Sequence, residues 1–114
     1  MEQIEIMKKF DFSLMKNGWF VGNFEPTAFK TKDCEIAYVK HFKDQKWEKH
    51  FHKIATEITF LIKGKIQIND TIFSSGDIFV IEPNEIADPK FLEDSEVVIV
   101  KVPSNTNDKH IIEK

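Results

Sequence analysis

Arginine is missing from this chain: all 16 basic residues among its 114 are lysine. No guanidinium fork exists for bidentate capture of a phosphate or carboxylate, so an anionic ligand would have to be met by lysine, backbone N–H groups or a metal. Cysteine is nearly missing as well. The single Cys34 excludes an intrachain disulfide, fits a reducing compartment and is expected as a small buried hydrophobe. Long apolar runs are also lacking. "ITFLI" and "VVIV" fall far short of the ~20 residues that a membrane helix needs, and the opening "MEQIEIMKKFDF" has no continuous apolar core of signal-peptide length. A soluble, cytoplasmic protein without a membrane partner is expected. Nor is there a surplus of positive charge: 19 carboxylates against 16 lysines leave a net charge of −3. The two signs are interspersed, so nucleic acid is not an expected partner.

What is present is the composition of a globular domain, 41% hydrophobic and 31% charged. The length suits one hydrophobic core and one domain over 1–114. Eleven Phe against two Trp and one Tyr predict a Phe-rich core. β patterning runs through most of the chain. "EIAYVKHF" (35–42) and "TEITFLIKG" (56–64) are rich in β-branched and aromatic residues, and "GDIFVIEP" (76–83) and "EVVIVKVP" (96–103) are short apolar runs with turn residues at their ends. "KIQINDTIF" (65–73) alternates, breaks at Asn69-Asp70 and resumes, which is a hairpin signal. No apolar period of 3.6 lasts ten residues, although 4–16 can hold a short helix or an irregular strand.

Seven or more short strands predict an all-β, antiparallel barrel or sandwich with little helix. Its core would span about 35–103, between an N-terminal arm (1–34) and a polar C-terminal tail (104–114) that carries an exposed His110. Phe60, Ile62, Ile78, Val80, Val98 and Val100 are expected inside.

Residues 48–64, "EKHFHKIATEITFLIKG", place His50 and His52 two apart, with Glu57 five residues on. Residues i and i+2 of a strand share a face, about 7 Å apart. Two imidazoles and a carboxylate are the ligand types of the 2-His-1-carboxylate arrangement, which leaves open positions on a divalent metal. His41, next to Phe42, is expected on a strand surface. Tyr38 and Trp47 are the candidate substrate contacts, with Trp47 at the rim of a pocket.

At these residues the sequence resembles the cupin family, whose first motif runs G-x5-H-x-H-x(3,4)-E-x6-G. Asp44, His50, His52, Glu57 and Gly64 stand at those spacings, and only the opening glycine is replaced. The second motif, G-x5-P-x-G-x2-H-x3-N, is matched more loosely by "GDIFVIEPNEIAD". Gly76 and Pro83 stand one residue farther apart than in the family, Glu85 replaces the turn glycine, and Asp88 falls where the last histidine ligand belongs.

The resemblance spans 35–103 and implies a jelly-roll-like barrel with one divalent ion (Fe, Mn, Zn or Ni) on His50, His52, Glu57 and Asp88. Aspartate can ligate through oxygen. Two carboxylates would leave the site near neutral and favour uncharged ligands such as sugars or diols. The function implied is that of a metal-dependent enzyme acting on a small molecule, of oxygenase or sugar isomerase/epimerase type. A non-catalytic binding or sensing module is the alternative. The family also implies pairing of sheets into a homodimer.

Overall fold

The computed structural model describes residues 7–113 and is almost wholly β. A 3₁₀ turn at Phe12–Leu14 precedes β1 (Trp19–Gly22), β2 (Phe29–Lys30), β3 (Glu35–His41) and β4 (His50–His52). They are followed by β5 (Thr56–Lys63), β6 (Lys65–Ile68), β7 (Thr71–Ser74) and β8 (Ile78–Ile81), then β9 (Pro89–Phe91), β10 (Ser95–Val102) and β11 (Lys109–Ile111). The helix or strand expected over 4–16 is this 3₁₀ turn in its described part, and residues 4–6 lie outside the described residues.

A six-stranded sheet in the order β2-β1-β3-β10-β5-β8 faces a three-stranded sheet, β7-β6-β9, while β4 and β11 form a small ribbon. Every pair is antiparallel except β1 with β2. The sheets do not join into a closed barrel, so the architecture is an open sandwich.

Local chemistry sets the joints. Asn69 adopts a left-handed φ of 56° between β6 and β7, where the sequence predicts the hairpin. Gly64, at φ 112°, turns the chain from the large sheet to the small one. A Cβ there would stand 2.2 Å from Ser95 Oγ and 2.5 Å from the Asp94 carbonyl oxygen, so no larger residue fits without displacing backbone.

The core lies between the sheets. Leu61, Ile66, Phe91 and Val97 are its centre, with Val39, Ile68, Phe73 and Ile99 packed against them. This corrects the expected strand phase. Val97 stands opposite both Val39 and Leu61, and that row points inward. Phe60 and Ile62 (41% exposed each), Val80 (50%) and Ile78 (66%) point outward, and Val98 and Val100 are half-buried on the same outer face. The register is off by one because these runs are apolar on both faces and so carry no period-2 contrast to read.

Described residues outside 35–103 also form strands. β1 and β2 extend the large sheet, and β11 pairs with β4, Lys109 opposite His52 and Ile111 opposite His50. Asp108, 3% exposed, accepts hydrogen bonds from the amides of Lys53, Ile54 and Ala55. His110 is partly covered, stacked on Phe51 at 5.2 Å. Cys34 is half-buried. No helix of the described residues is long and apolar enough to cross a membrane.

Candidate functional site

β4 is only three residues long, and its alternation decides the site. His50 and His52 are buried while Phe51 between them turns outward, so both imidazoles enter the same interior. Their ring centroids are 5.3 Å apart, nearly perpendicular. β4 is gripped on its second side by the 84–87 segment. The His50 and Ala87 backbones exchange hydrogen bonds of 2.9 and 2.8 Å, and the Asn84 amide donates to the His52 carbonyl. His50 Nδ1 lies 2.9 Å from the Glu48 carbonyl, which can only accept, so Nδ1 carries a hydrogen and Nε2 is the nitrogen left for another partner. His52 Nε2 is buried with no hydrogen-bond partner among the described residues. Burial, reinforced by Lys101 and His50, holds the His52 imidazole down to about 4, so it is neutral at neutral pH.

These rings open onto a cavity of about 810 Å³ between the sheets. Glu57, the second residue of β5, faces it in one cross-strand row with Lys101 of β10 and Ile81 of β8. Desolvation raises the Glu57 carboxyl above the ordinary range, while Lys101, His50 and Lys109 pull it back. Lys101 holds its ammonium 4.9 Å above the Trp19 ring, and Lys109 holds its own 4.8 Å above Trp47. Lys109 is also ion-paired with Glu48 at 3.1 Å.

Of the expected metal ligands, His50, His52 and Glu57 line the cavity. Asp88 does not. Ala87 stands opposite His50 and shares its inward face, so the next residue falls on the alternate side, where its amide donates to Asn69 Oδ1 at 3.0 Å. Among the described residues, no three His, Cys, Asp or Glu side chains stand close enough together to hold one ion.

Trp47 lines the cavity. Tyr38 borders it, but its ring belongs to the other face of the sheet, in register with Val98. There its hydroxyl donates to the Glu96 carboxylate and its ring meets Phe12 edge-on at 5.8 Å. The hydrogen bond to Glu96 holds the tyrosine hydroxyl above its ordinary value.

Sequence reasoning missed three cavity residues. His41, expected at the surface, is 6% exposed, stacked on Phe91 at 4.1 Å and edge-on to Trp47 at 5.1 Å. Its burial lowers its proton affinity, against a hydrogen bond with Gln45. The signal was the run Glu35, Ala37, Val39, His41, whose small and apolar members mark the inward phase. The second is Lys101, a lone charge in the apolar run "VVIVKV". Nothing in the sequence pointed to the third, Trp19.

No protein-family model and no curated protein matches the sequence. Solved structures do match the fold. An uncharacterised conserved protein with a double-stranded β-helix domain from Klebsiella pneumoniae superposes with a TM-score of 0.66 at 22% identity, over 74% of each chain. KdgF from Halomonas sp. gives 0.60 at 23% identity, over 68% of this chain and 74% of its own. The bacterial pirin YhhW from Escherichia coli, described in complex with nickel(II), gives 0.61 at 20% identity, over 77% of this chain and 39% of its own. RmlC-like cupins from Shewanella frigidimarina and Ralstonia eutropha also match. With its open sandwich, the two inward-facing histidines of β4 and these neighbours, the chain has the double-stranded β-helix fold of the RmlC-like cupins.

Proposed function

We propose that the cavity is a metal-assisted small-molecule site, in which one divalent ion sits on His50 and His52 with Glu57 as the carboxylate ligand. The observation that carries this reading is the pair of imidazoles on the inward face of β4, one with its Nδ1 fixed on a carbonyl and the other with a buried, unpartnered Nε2. Leaving such a nitrogen unsatisfied costs about 1–3 kcal/mol, which a cation ligand recovers. The donor types fit: two neutral imidazoles and one carboxylate suit Fe, Mn, Ni or Zn. That the pirin YhhW is described with nickel(II) supports metal binding within this fold.

When bound, the ion supplies a Lewis acid with open coordination positions. The chain's own part is to enclose the ligand. Ile66, Phe79 and Phe91 exclude water along one side, Trp47 offers a flat apolar face, and Lys101 offers a charge. We read the protein as an enzyme on a small molecule, of oxygenase or sugar isomerase/epimerase type. A non-catalytic binding or sensing module is the second reading. It is favoured by the absence, among the described residues, of three ligand side chains within reach of one ion.

Elemental analysis of protein purified without added metal tests the first step, with about one equivalent of a divalent metal expected. His50→Ala or His52→Ala should weaken binding by at least ~10-fold. Unchanged metal content in the double variant would remove the metal from the site. Incubation with sugars, sugar phosphates, thiols and diketones then separates the two readings, because a binding module shifts its melting temperature with a ligand and yields no product.

A further inference from the structure

We propose that the cavity selects small organic anions and that Lys101 receives the oxyanion; this rests on the cavity being the small-molecule site proposed above. Among the cations that border the cavity, Lys109 is already matched by Glu48 at 3.1 Å, and Lys40 is exposed on the outer face. Lys101 is different. It points inward from β10 with a glutamate opposite it on each neighbouring strand, Glu35 and Glu57, yet it forms no ion pair with any described residue. Glu35 is buried and accepts the Ser104 hydroxyl at 3.0 Å, while Glu57 is assigned to the ion. The ammonium instead rests on the indole of Trp19, a partner that holds it in place without neutralising it.

The remaining charge balance points the same way. Because Asp88 lies outside the cavity, Glu57 is the one carboxylate of the expected ligand set that faces it. A divalent ion and Lys101, against Glu57 as the one carboxylate among the residues lining the cavity, leave the cavity positive. This reverses the neutral-ligand expectation that followed from counting Asp88 as a ligand. With no arginine in the chain, recognition is by a point charge rather than a fork, so carboxylates and phosphate monoesters are both admissible and share one chemistry. The ligand body lies along the apolar wall and the Trp47 face.

The chain's two tryptophans make the test direct, because Trp19 lies under Lys101 and Trp47 under Lys109. In a Trp47→Phe background, Trp19 fluorescence is quenched by iodide and by caesium, with circular dichroism confirming the fold of each variant. Iodide is expected to quench more strongly. Lys101→Met should lower the iodide constant about fourfold, the effect of one unit charge near 5 Å in a solvated site, and Lys101→Arg should retain it. Benzoate and glycerol 3-phosphate should protect Trp19 at concentrations where their neutral twins, benzamide and glycerol, do not; whichever protects at the lower concentration identifies the oxyanion. Equal protection by a neutral twin, or iodide quenching unchanged in a folded Lys101→Met protein, overturns the proposal. So does loss of the iodide preference in a folded His50→Ala, His52→Ala protein that keeps Lys101, since the ion would then be the attractor. Absence of metal from the parent protein with the Lys101 effect intact would defeat the metal reading alone.

Discussion

The two faces of the six-stranded sheet differ in the opposite sense to a simple globular rule. The inward face carries Glu35, His41, Glu57, Thr59 and Lys101 among Ala37, Leu61 and Val97, whereas the outward face carries Ile58, Phe60, Ile62, Ile78 and Val80 with little polar interruption. Polar residues are inside because part of the interior is an open cavity, and only the rest is a packed core. A face can therefore be buried for chemistry or buried for cohesion. The two uses should respond differently to substitution.

The sharpest break between the faces is expected at Leu61. Fully buried at the centre of the core, it should cost about 2–5 kcal/mol when changed to alanine, read as a fall in the urea midpoint. A loss below about 1 kcal/mol would mean that the core lies elsewhere.

The cavity side should show itself through pH. In metal-free protein the His52 imidazole is held at about 4 while the unfolded chain protonates near 6.5, so the unfolded state binds more protons across that interval. Stability should fall by about 3 kcal/mol as pH drops from 6.5 to 4. His52→Gln should flatten that limb, and an unchanged limb would show that another group governs it.

Asp108 tests the ribbon that bounds the cavity. Burial raises its carboxyl, but the amides of Ala55, Ile54 and Lys53 outweigh this and hold it below the ordinary range. Its contribution is therefore full above the ordinary aspartate value and is lost as pH falls through the lower folded one. At neutral pH, Asp108→Ala should cost about 2 kcal/mol by stranding these amides. A cost near zero would mean that water replaces the carboxylate.

The smallest effect belongs to the outer face. Ile78, 66% exposed, should tolerate serine within about 0.5 kcal/mol. A large loss, or a change of elution volume with protein concentration, would show that this face is covered, as the expected homodimer would require.

How much of this was legible in the sequence follows from where contrast existed. The strands, the hairpin at Asn69-Asp70 and the shared face of His50 and His52 could be read because turn residues and polar–apolar alternation mark them. In "TFLI" and "VVIV" both faces are apolar, so the phase was lost, and with it the inward positions of Leu61 and Val97. Asp88 was placed by motif spacing alone. The backbone exchange between His50 and Ala87 fixes its phase, and that contact joins segments 37 residues apart (87 − 50) that no local pattern connects. Lys101 was hidden because a charge at the end of an apolar strand looks the same whether it faces solvent or a cavity.

The ribbon of β4 and β11 sets an order of assembly. The strand bearing both histidines gains its ladder partner, and the Asp108 clamp beneath it, from residues more than 50 positions later in the chain, as the separation of Lys53 and Asp108 shows. Contacts so distant in sequence must await the closure of a long loop, whereas the β6–β7 hairpin closes only the short turn at Asn69-Asp70. Val39 and Val97 of the core stand farther apart in sequence still, so the hairpin forms first and the core and the histidine strand close after it.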